Sequence, residues 1–343
     1  MIARRTGFRW WFLLCCAACG DDGDARETPV SESVMDPSVS ALRARAARSF
    51  EALQEPVIPE SPTFELGRQL FFDERLSADG QVSCSTCHLL QFGGADGLAL
   101  PLGVAGRKSS RNAATVFNAG LQSAQHWRGE HDSLEEQAAR ALIEPTWFGY
   151  SEESEALDSV RGAGYERAFE QAFPDARAAL SLQNFGAAIA AFEQTLITPG
   201  RFDAFLGGDD AALDARELAG LELFLDTGCV DCHEGPGLGG QMFAAFGLTK
   251  PYQALTGSKT VDEGRYALTQ REEDRFVFKV PSLRNVGETA PYFHDGQVIG
   301  LEHAVRVMLD AQLGVQLQDY EVDNLVAFLR GLSGAAPAWY TEP

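Results

Sequence analysis

The pattern of apolar and polar positions along the chain predicts helices much more clearly than strands. In several segments apolar residues recur at spacings of three and four, which is the periodicity of one buried helix face. Two of these segments occupy corresponding places in the two halves of the chain. They carry Phe64, Leu66, Leu70 and Phe71 in the first half, and Leu218, Leu221, Phe224 and Leu225 in the second.

Three further helices are predicted from their start and stop signals. Each begins at a residue that can accept a hydrogen bond from the free N–H groups of a first helical turn. The first runs from Ser133 to Ile143, and Ser133 forms a capping-box pattern with Glu136. The second runs from Ser181 to Thr198, and the third from Asp319 to Gly331.

Strand patterns are sparse. The glycine-rich region from Glu234 to Pro281 reads as a long loop, with a short hairpin expected between Tyr266 and Phe278. The chain is therefore predicted to be mostly α-helical.

The amino terminus has the pattern of a secretory signal. Arg4, Arg5 and Arg9 are followed by an apolar run from Trp10 to Ala18. This run is about half of the ~18 residues that a membrane-spanning helix needs. We predict a signal peptide at 1–19 of the lipoprotein type, with Cys19 as the lipidated residue, followed by a flexible linker at 20–50.

Composition and net charge limit the number of domains and the kinds of partner that the protein can have. The 343 residues are 45% hydrophobic, which is enough for two domains of ordinary size. The net charge of -21 argues against nucleic acid or an anionic membrane surface as a partner. It is compatible with a basic protein partner, and equally with an exported protein that is kept soluble by its charge.

The seven cysteines point to haem attachment. Three of them lie in the leader, and the other four occur in two CxxCH segments. CxxCH supplies two thiols for the haem vinyl groups and a histidine for the iron. A zinc or redox CxxC site is the alternative, but zinc would need further ligands at suitable spacing. The predicted attachment residues are Cys84, Cys87 and His88, and Cys229, Cys232 and His233.

One segment in each half of the chain predicts one haem per domain, with an N-terminal domain at 51–205 and a C-terminal domain at 206–343. Function then depends on the sixth ligand of each iron, because a protein ligand favours electron transfer and a vacant position favours catalysis. The candidate ligands are Met242, Met308, His126, His131, His294 and His303, each of which is also compatible with a purely structural role.

Several motifs between Phe64 and Ala336 together resemble the bacterial di-haem cytochrome c peroxidases and their MauG-type relatives. The resemblance implies two cytochrome c domains whose haems face each other across an interface, and a calcium ion at that interface. The motifs are LGRQLFFDERLS, RNAATVFNAG, FEQTLITP, FLDTGCVDCH, EGRY, PSLRNV and TAPYFHDG.

The resemblance also implies roles for individual residues. Met308 matches the distal methionine of the second haem, and a methionine there is typical of the peroxidases, whereas the MauG-type relatives have a tyrosine. Trp127 matches a tryptophan that carries electrons between the haems, and Gln137 matches a glutamine of the peroxide pocket. The positions that hold calcium are matched by Asn112, Thr289 and Pro291.

Two positions depart from the family pattern. Val104 stands where many relatives carry a distal histidine, which predicts a first haem with a free face in the oxidised protein. Trp147 stands where the family has a pocket glutamate, and tryptophan cannot transfer the proton that peroxide cleavage requires. Glu144 is the predicted substitute, with Glu130 and His131 as alternatives.

These observations predict a periplasmic, lipid-anchored peroxidase that reduces hydrogen peroxide with electrons from a small cytochrome c or copper protein. Electrons would enter at the second haem and pass by Trp127 to the first. The resemblance also suggests a homodimer. The alternatives are a MauG-like oxidant of an aromatic residue on a partner protein, and a non-enzymatic electron carrier or peroxide sensor.

Overall fold

The structure, a computed structural model, describes residues 37–342. The predicted signal peptide and the lipid attachment at Cys19 lie outside these residues. Among residues 37–342, no helix is long and apolar enough to cross a bilayer. The α-helices are α1 Pro37–Ala46, α2 Pro62–Phe72, α3 Cys84–Cys87, α4 Leu134–Leu142, α5 Glu153–Gly162, α6 Glu166–Ala172, α7 Leu182–Glu193, α8 Arg201–Leu206, α9 Ala215–Asp226, α10 Tyr252–Thr256, α11 Tyr266–Thr269, α12 Leu301–Met308 and α13 Asp319–Gly331.

Short 3₁₀ turns and one π turn complete the helical structure. The strands β1 Phe243–Ala245 and β2 Val277–Lys279 form one antiparallel pair, in which Phe243 lies opposite Lys279. The 3₁₀ turns are Glu74–Leu76, Leu90–Phe92, Val104–Gly106, Ala119–Leu121, Cys229–Asp231, Glu272–Asp274 and Val286–Glu288, and the π turn is Leu309–Leu313.

Helices α2, α4 and α7 enclose the first hydrophobic core. Helix α2 begins after Ser61, whose hydroxyl accepts the N–H of Phe64, and Pro62 takes the first helical position, where its missing N–H is not needed. The four apolar residues predicted to share one face of this helix are all buried in the core. Gly67 lets α7 come close, because a Cβ at this position would meet the carbonyl oxygen of Ala188 at 1.8 Å.

Helices α9, α12 and α13 enclose the second core. Gly220 of α9 faces the backbone of α13, where a Cβ would lie 2.0 Å from the carbonyl oxygen of Asn324. Of the predicted apolar set in α9, Leu221 and Phe224 are buried, whereas Leu218 and Leu225 are half-buried at the edge of the core.

The predicted helix starts are close to those observed. Ser133 caps α4 by accepting the N–H of Glu136, but the Glu136 carboxylate accepts from Asp132 rather than completing a capping box with Ser133. Helix α13 spans Asp319–Gly331, although Gln318 rather than Asp319 takes the capping position.

Helix α7 begins after Ser181 as predicted but ends at Glu193, before the predicted end at Thr198. Asn118 provides the physical reason. Its N–H donates to the carbonyl of Leu196 at 2.8 Å, and its side-chain oxygen accepts the N–H of Thr198 at 3.0 Å. These contacts replace the intrahelical bonds that a longer α7 would need.

The predicted hairpin between Tyr266 and Phe278 is wrong. Residues 266–269 form α11, and β2 pairs instead with β1, which lies more than twenty residues earlier in the chain. The Arg275 guanidinium lies 3.8 Å from the centre of the Tyr266 ring, and this contact folds the intervening segment back on itself.

The predicted flexible linker at 20–50 is also wrong over its described part. Residues 37–46 form α1, and Ala46 and Phe50 are buried in the second core. The Phe50 ring makes an edge-on contact with Phe202, with 5.5 Å between the centroids. An apolar ring buried in this way anchors the segment to the core.

The C-terminal segment departs from the predicted domain boundary at 205/206. Tyr340 is buried in the first core, where its ring packs edge-on against Phe117 with centroids 4.9 Å apart. Trp339 donates from its indole nitrogen to the hydroxyl of Thr195 at 2.9 Å. The end of the chain therefore packs on the core formed mainly by residues 64–196.

Candidate functional site

The first CxxCH segment forms one helical turn at the wall of a cavity. Ser83 precedes this turn, and its N–H donates to the hydroxyl of Thr86 at 3.0 Å. Because residues three apart lie on the same face of a helix, the turn brings Cys84 and Cys87 together. Both thiols are free and line the cavity together with His88, and we call this space the first cavity.

The orientation of His88 suits an iron ligand. Its Nδ1–H donates to the carbonyl of Gly94 at 2.8 Å, so the lone pair is on Nε2. Burial lowers the pKa of His88 and keeps the ring neutral, as a metal ligand must be. The hydroxyl of Tyr340 donates to the carbonyl of His88 and links this residue to the C-terminal segment.

The second CxxCH segment has the same arrangement at a different cavity. Cys229, Cys232 and His233 line the second cavity, and the Nδ1–H of His233 donates to the carbonyl of Leu238 at 3.2 Å. Burial lowers the pKa of His233 to about 4. Both histidines therefore present a neutral Nε2, and both segments keep two free thiols, so the residues fit two covalently attached haems.

A glycine allows the loop after His233 to close over the ring. Gly239 has φ of 119°, and a Cβ at this position would lie 2.2 Å from the carbonyl oxygen of Pro281. Only glycine tolerates both this backbone conformation and this approach.

Met308 lines the second cavity together with His233. It lies at the last position of α12, one turn after Ala304 and Val305, which also line this cavity. Met242 is 37% exposed and does not line either cavity. Of the two methionines considered as ligands, the structure places only Met308 in a cavity with a CxxCH histidine.

The two cavities share a wall. Trp127 lines both cavities, its indole N–H donates to the carbonyl of Asn112 at 2.9 Å, and its own carbonyl accepts the N–H of Lys279 at 2.8 Å. Residues lining both cavities are Asn112, Ala113, Ala114, Thr115, Gln122, His126, Trp127 and Lys279.

The three residues matched to a calcium site also meet at the second cavity. Asn112, Thr289 and Pro291 all line it. The side-chain N–H₂ of Asn112 donates to the carbonyl of Leu98 at 2.8 Å. The amide oxygen of Asn112 takes no part in this hydrogen bond. Amide and backbone oxygens are ligands that calcium accepts, so these residues fit the ion.

The first cavity contains some of the predicted pocket residues. Gln137 and Trp147 line it, and the indole N–H of Trp147 donates to the hydroxyl of Ser109 at 2.9 Å. Val104 is buried but does not line the cavity. Glu144 does not line it either. The Glu144 carboxylate accepts the N–H of Thr146 at 3.2 Å, which holds it against its own turn.

The two alternatives to Glu144 also have other partners. Glu130 lines the cavity, but its carboxylate pairs with Arg128 at 2.6 Å and with Arg111 at 3.7 Å. Burial opposes ionisation, yet the contact with Arg128 lowers the pKa of Glu130 below its ordinary value. His131 lies outside the lining of the first cavity. The prediction that Glu144 supplies the pocket carboxylate is therefore not supported by the geometry.

Sequence reasoning missed two titratable residues of the first cavity, Glu193 and Lys279, and considered a third, His126, only as an iron ligand. Burial lowers the pKa of His126 to about 4, and lowers that of Lys279 to about 8. Burial, followed by the nearby charge of Glu135, raises the pKa of Glu193 to about 8. Glu193 lies within the motif FEQTLITP and Lys279 is the last residue of β2, but only the tertiary structure brings them to the cavity.

A mostly helical chain with two CxxCH cavities that share a tryptophan has the features of a di-haem c-type protein. Residues 61–211 match the di-haem cytochrome c peroxidase family. The chain is 45% identical to the cytochrome c551 peroxidase of Pseudomonas aeruginosa over 307 residues, which are 87% of this chain and 88% of the relative. The chain therefore belongs to the di-haem cytochrome c peroxidase family.

Other relatives lie in the MauG branch. The methylamine utilization protein MauG of Methylophilus methylotrophus is 32% identical, over 83% of this chain and 85% of the relative. A solved MauG-like protein associated with microbial copper homeostasis is 29% identical, with a TM-score of 0.74 over 85% of this chain and 97% of that one. These matches confirm the predicted family, the mostly helical fold and a haem-dependent oxidoreductase enzyme.

Proposed function

We propose that the protein reduces hydrogen peroxide to water with electrons from a small redox protein, a cytochrome c or a copper protein. The observation that carries the proposal is the difference between the two cavities. Among the described residues that line them, Met308 of the second cavity is the only methionine. A methionine ligand raises the potential of a haem and suits electron entry, whereas a free iron face suits the binding of a small oxidant.

The bound haems supply the iron that binds peroxide and passes electrons. The chain would attach them through the four thiols and orient them through the Nε2 atoms of His88 and His233, and Met308 would add a second ligand for the haem of the second cavity. Two separate hydrophobic cores support a division into two haem domains, proposed at 51–205 and 206–343. Phe202 and Phe205 pack in the second core and Tyr340 packs in the first, so the cores themselves divide the chain before α8 and return the C-terminal segment to the first domain.

Trp127 is proposed to carry electrons between the two haems. Its ring belongs to both cavity walls, and contacts with Asn112 and Lys279 hold its indole and its backbone. A calcium ion held by Asn112, Thr289 and Pro291 would stiffen the same wall, because Asn112, whose carbonyl accepts the indole N–H of Trp127, would then also bind the ion. Gln137 is proposed to orient peroxide in the first cavity.

The sequence supports our proposals for the electron donor, the location and the assembly of the protein. The net charge of -21 suits a donor with exposed lysines, because opposite charges accelerate encounter. The signal pattern supports export to the periplasm with a lipid anchor at Cys19. Two of the curated relatives are named cytochrome c551 peroxidase, which supports peroxide as substrate, and the family resemblance suggests a homodimer.

A second candidate function is a MauG-like oxidation of an aromatic residue on a partner protein. Trp147 favours it, because this cavity residue replaces the family's carboxylate. The similarity to MauG proteins and to a solved MauG-like structure also favours it.

Rapid mixing of the oxidised holoprotein with peroxide, and then with reduced cytochrome c, separates these functions. We expect a fast spectral change in the first haem and then multiple turnovers of donor. A peroxide-induced state that persists in the presence of the donor would favour the MauG-like function instead. Absence of any spectral change would contradict both.

A further inference from the structure

The first cavity contains few groups able to accept a proton from peroxide. Of its ionisable residues other than those of the CxxCH segment, Arg111 pairs with Asp262 at 2.7 Å and Glu130 pairs with Arg128. Lys279 donates to the side-chain oxygen of Gln122. Glu193 has a pKa raised to about 8, so it is protonated at neutral pH. His126 remains.

His126 has no hydrogen-bond partner on either ring nitrogen among residues 37–342. Its ring lies edge-on to that of Trp147, with centroids 5.4 Å apart, and edge-on to that of His131 at 5.0 Å. Aromatic neighbours position the imidazole without binding its nitrogens. The ring can therefore make hydrogen bonds to a small molecule in the cavity.

The backbone of His126 is held in an uncommon conformation. Its φ is 65°, in the left-handed region that residues other than glycine rarely adopt. The N–H of Gln125 donates to the carbonyl of His131 at 2.7 Å and closes the loop around it. Strained residues of this kind persist where the surrounding structure fixes them, and they cluster at functional sites.

The charge state of His126 suits a proton acceptor. Burial lowers the pKa of the ring to about 4; Glu130 opposes this shift, and the charges of His131, Lys279 and His88 add to it. The imidazole is therefore neutral at physiological pH, with one nitrogen able to accept a proton and the other able to donate one.

We propose that His126 is the catalytic acid and base of the first cavity, in contact with peroxide and in place of a carboxylate. This inference rests on the proposed function. His126 accepts the proton of the peroxide oxygen that faces the iron and returns it to the other oxygen. The O–O bond breaks and the far oxygen leaves as water. Two electrons from the donor and two protons from solvent convert the remaining oxygen to a second water.

The test compares His126→Ala and His126→Gln with the unaltered holoprotein. General acid–base groups contribute about 10²- to 10⁴-fold, so the rate of the peroxide-induced spectral change should fall within this range. Hydrogen cyanide must also lose a proton before it binds iron, so its association rate should fall too. The electron paramagnetic resonance spectrum of the oxidised protein should not change, and added imidazole should partly restore the His126→Ala rates.

His303→Gln is the matched control, because His303 is exposed on α12 and lies outside both cavities. It should match the unaltered protein in every measurement. An unchanged spectrum of the second haem verifies folding, and the isosteric glutamine variant keeps the test valid if the alanine variant is unstable.

Wild-type rates for peroxide and cyanide in both His126 variants would overturn the inference. A first haem that is low-spin in the unaltered protein and becomes high-spin in His126→Ala would also overturn it, because His126 would then be an iron ligand. A protein that ignores peroxide would contradict the proposed function, and the cyanide rates would still decide the role of His126.

Discussion

At the scale of single residues, chemistry is distributed unequally between the two cavities. Met308 and His233 line the second cavity, Gln137 and Trp147 line the first with His88, and His126 lines both. The second cavity thus brings together a thioether and an imidazole, and the first contains no methionine among the described residues that line it but has groups that can bind a small polar molecule. Under the proposed function, this difference would separate electron entry from catalysis.

Replacing the thioether should lower the potential of the second haem. In Met308→Leu we expect a fall on the order of 0.1 V or more, because sulfur ligation stabilises ferrous iron. A spectroelectrochemical titration of the holoprotein measures it. Met242→Leu is the matched control, since Met242 lines neither cavity, and an equal shift in both variants would contradict ligation by Met308.

Glu193 should make stability depend on pH. Its pKa of about 8 lies above the ordinary value of 4.5, so the folded protein keeps a proton that the unfolded chain loses in this range. The raised pKa of Glu193 therefore lowers the free energy of unfolding progressively as pH rises from about 4.5 to about 8.

Glu193→Gln should remove this pH dependence. We expect the free energy of unfolding to rise by about 3 kcal/mol at pH 7, because pH 7 lies well above the ordinary pKa of 4.5 and still below the pKa of Glu193 in the folded protein. Near pH 4 we expect little gain, because Glu193 is protonated in both states. Urea unfolding of the holoprotein at both pH values measures it. The exposed Glu170→Gln serves as control, and equal gains at both pH values would contradict the pKa argument.

At the scale of elements, close helix pairs build both cores. Periodicity predicted which faces of α2 and α9 are apolar. Phe64 and Phe71 of α2 contact Phe192 of α7, and Phe224 of α9 contacts Phe328 of α13. The close approach itself depends on Gly67 and Gly220, since each faces a carbonyl oxygen of the partner helix. A helical glycine without such a neighbour would only weaken its helix.

Gly67→Ala and Gly220→Ala should each destabilise the protein. The added Cβ atoms would lie 1.8 Å and 2.0 Å from backbone oxygens, so the helices must separate. Overpacking of this kind costs about 1–3 kcal/mol or more. Gly162→Ala is the control, because nothing lies within 4 Å of its Cβ, and it should stay within about 1 kcal/mol of wild type. Denaturant unfolding compares the three variants.

At the scale of the whole molecule, the last residues of the chain return to the first core. Tyr340 packs among Phe71, Phe117 and Phe192, and its hydroxyl donates to the carbonyl of His88. The surroundings of His88 therefore depend on a residue that lies more than 200 positions later in the chain.

Tyr340→Ala should lower the free energy of unfolding by about 3–5 kcal/mol, as for large aromatic truncations in a core. It should also change the absorption spectrum of the first haem, because His88 loses a contact. Tyr320→Ala, at a tyrosine that is 65% exposed, is the control and should be close to neutral. An unchanged stability in Tyr340→Ala would contradict the packing role.

The sequence by itself determined the family, the mostly helical fold and the two cysteine–histidine segments. Each of these features is local: a helical face repeats within a few residues, and CxxCH brings its two thiols and its histidine together in five. The start of α7 after Ser181 could be predicted for the same reason, whereas its end could not, because Asn118 is distant in sequence.

Only the tertiary structure decided which side chains share a cavity. Glu144 was a reasonable candidate by its position in the chain, yet its own turn holds it outside, and His126 lies inside. Tyr340 likewise reaches the first core from the far end of the chain. Burial, charge state and the set of neighbours depend on contacts between distant segments, so no local pattern carries them.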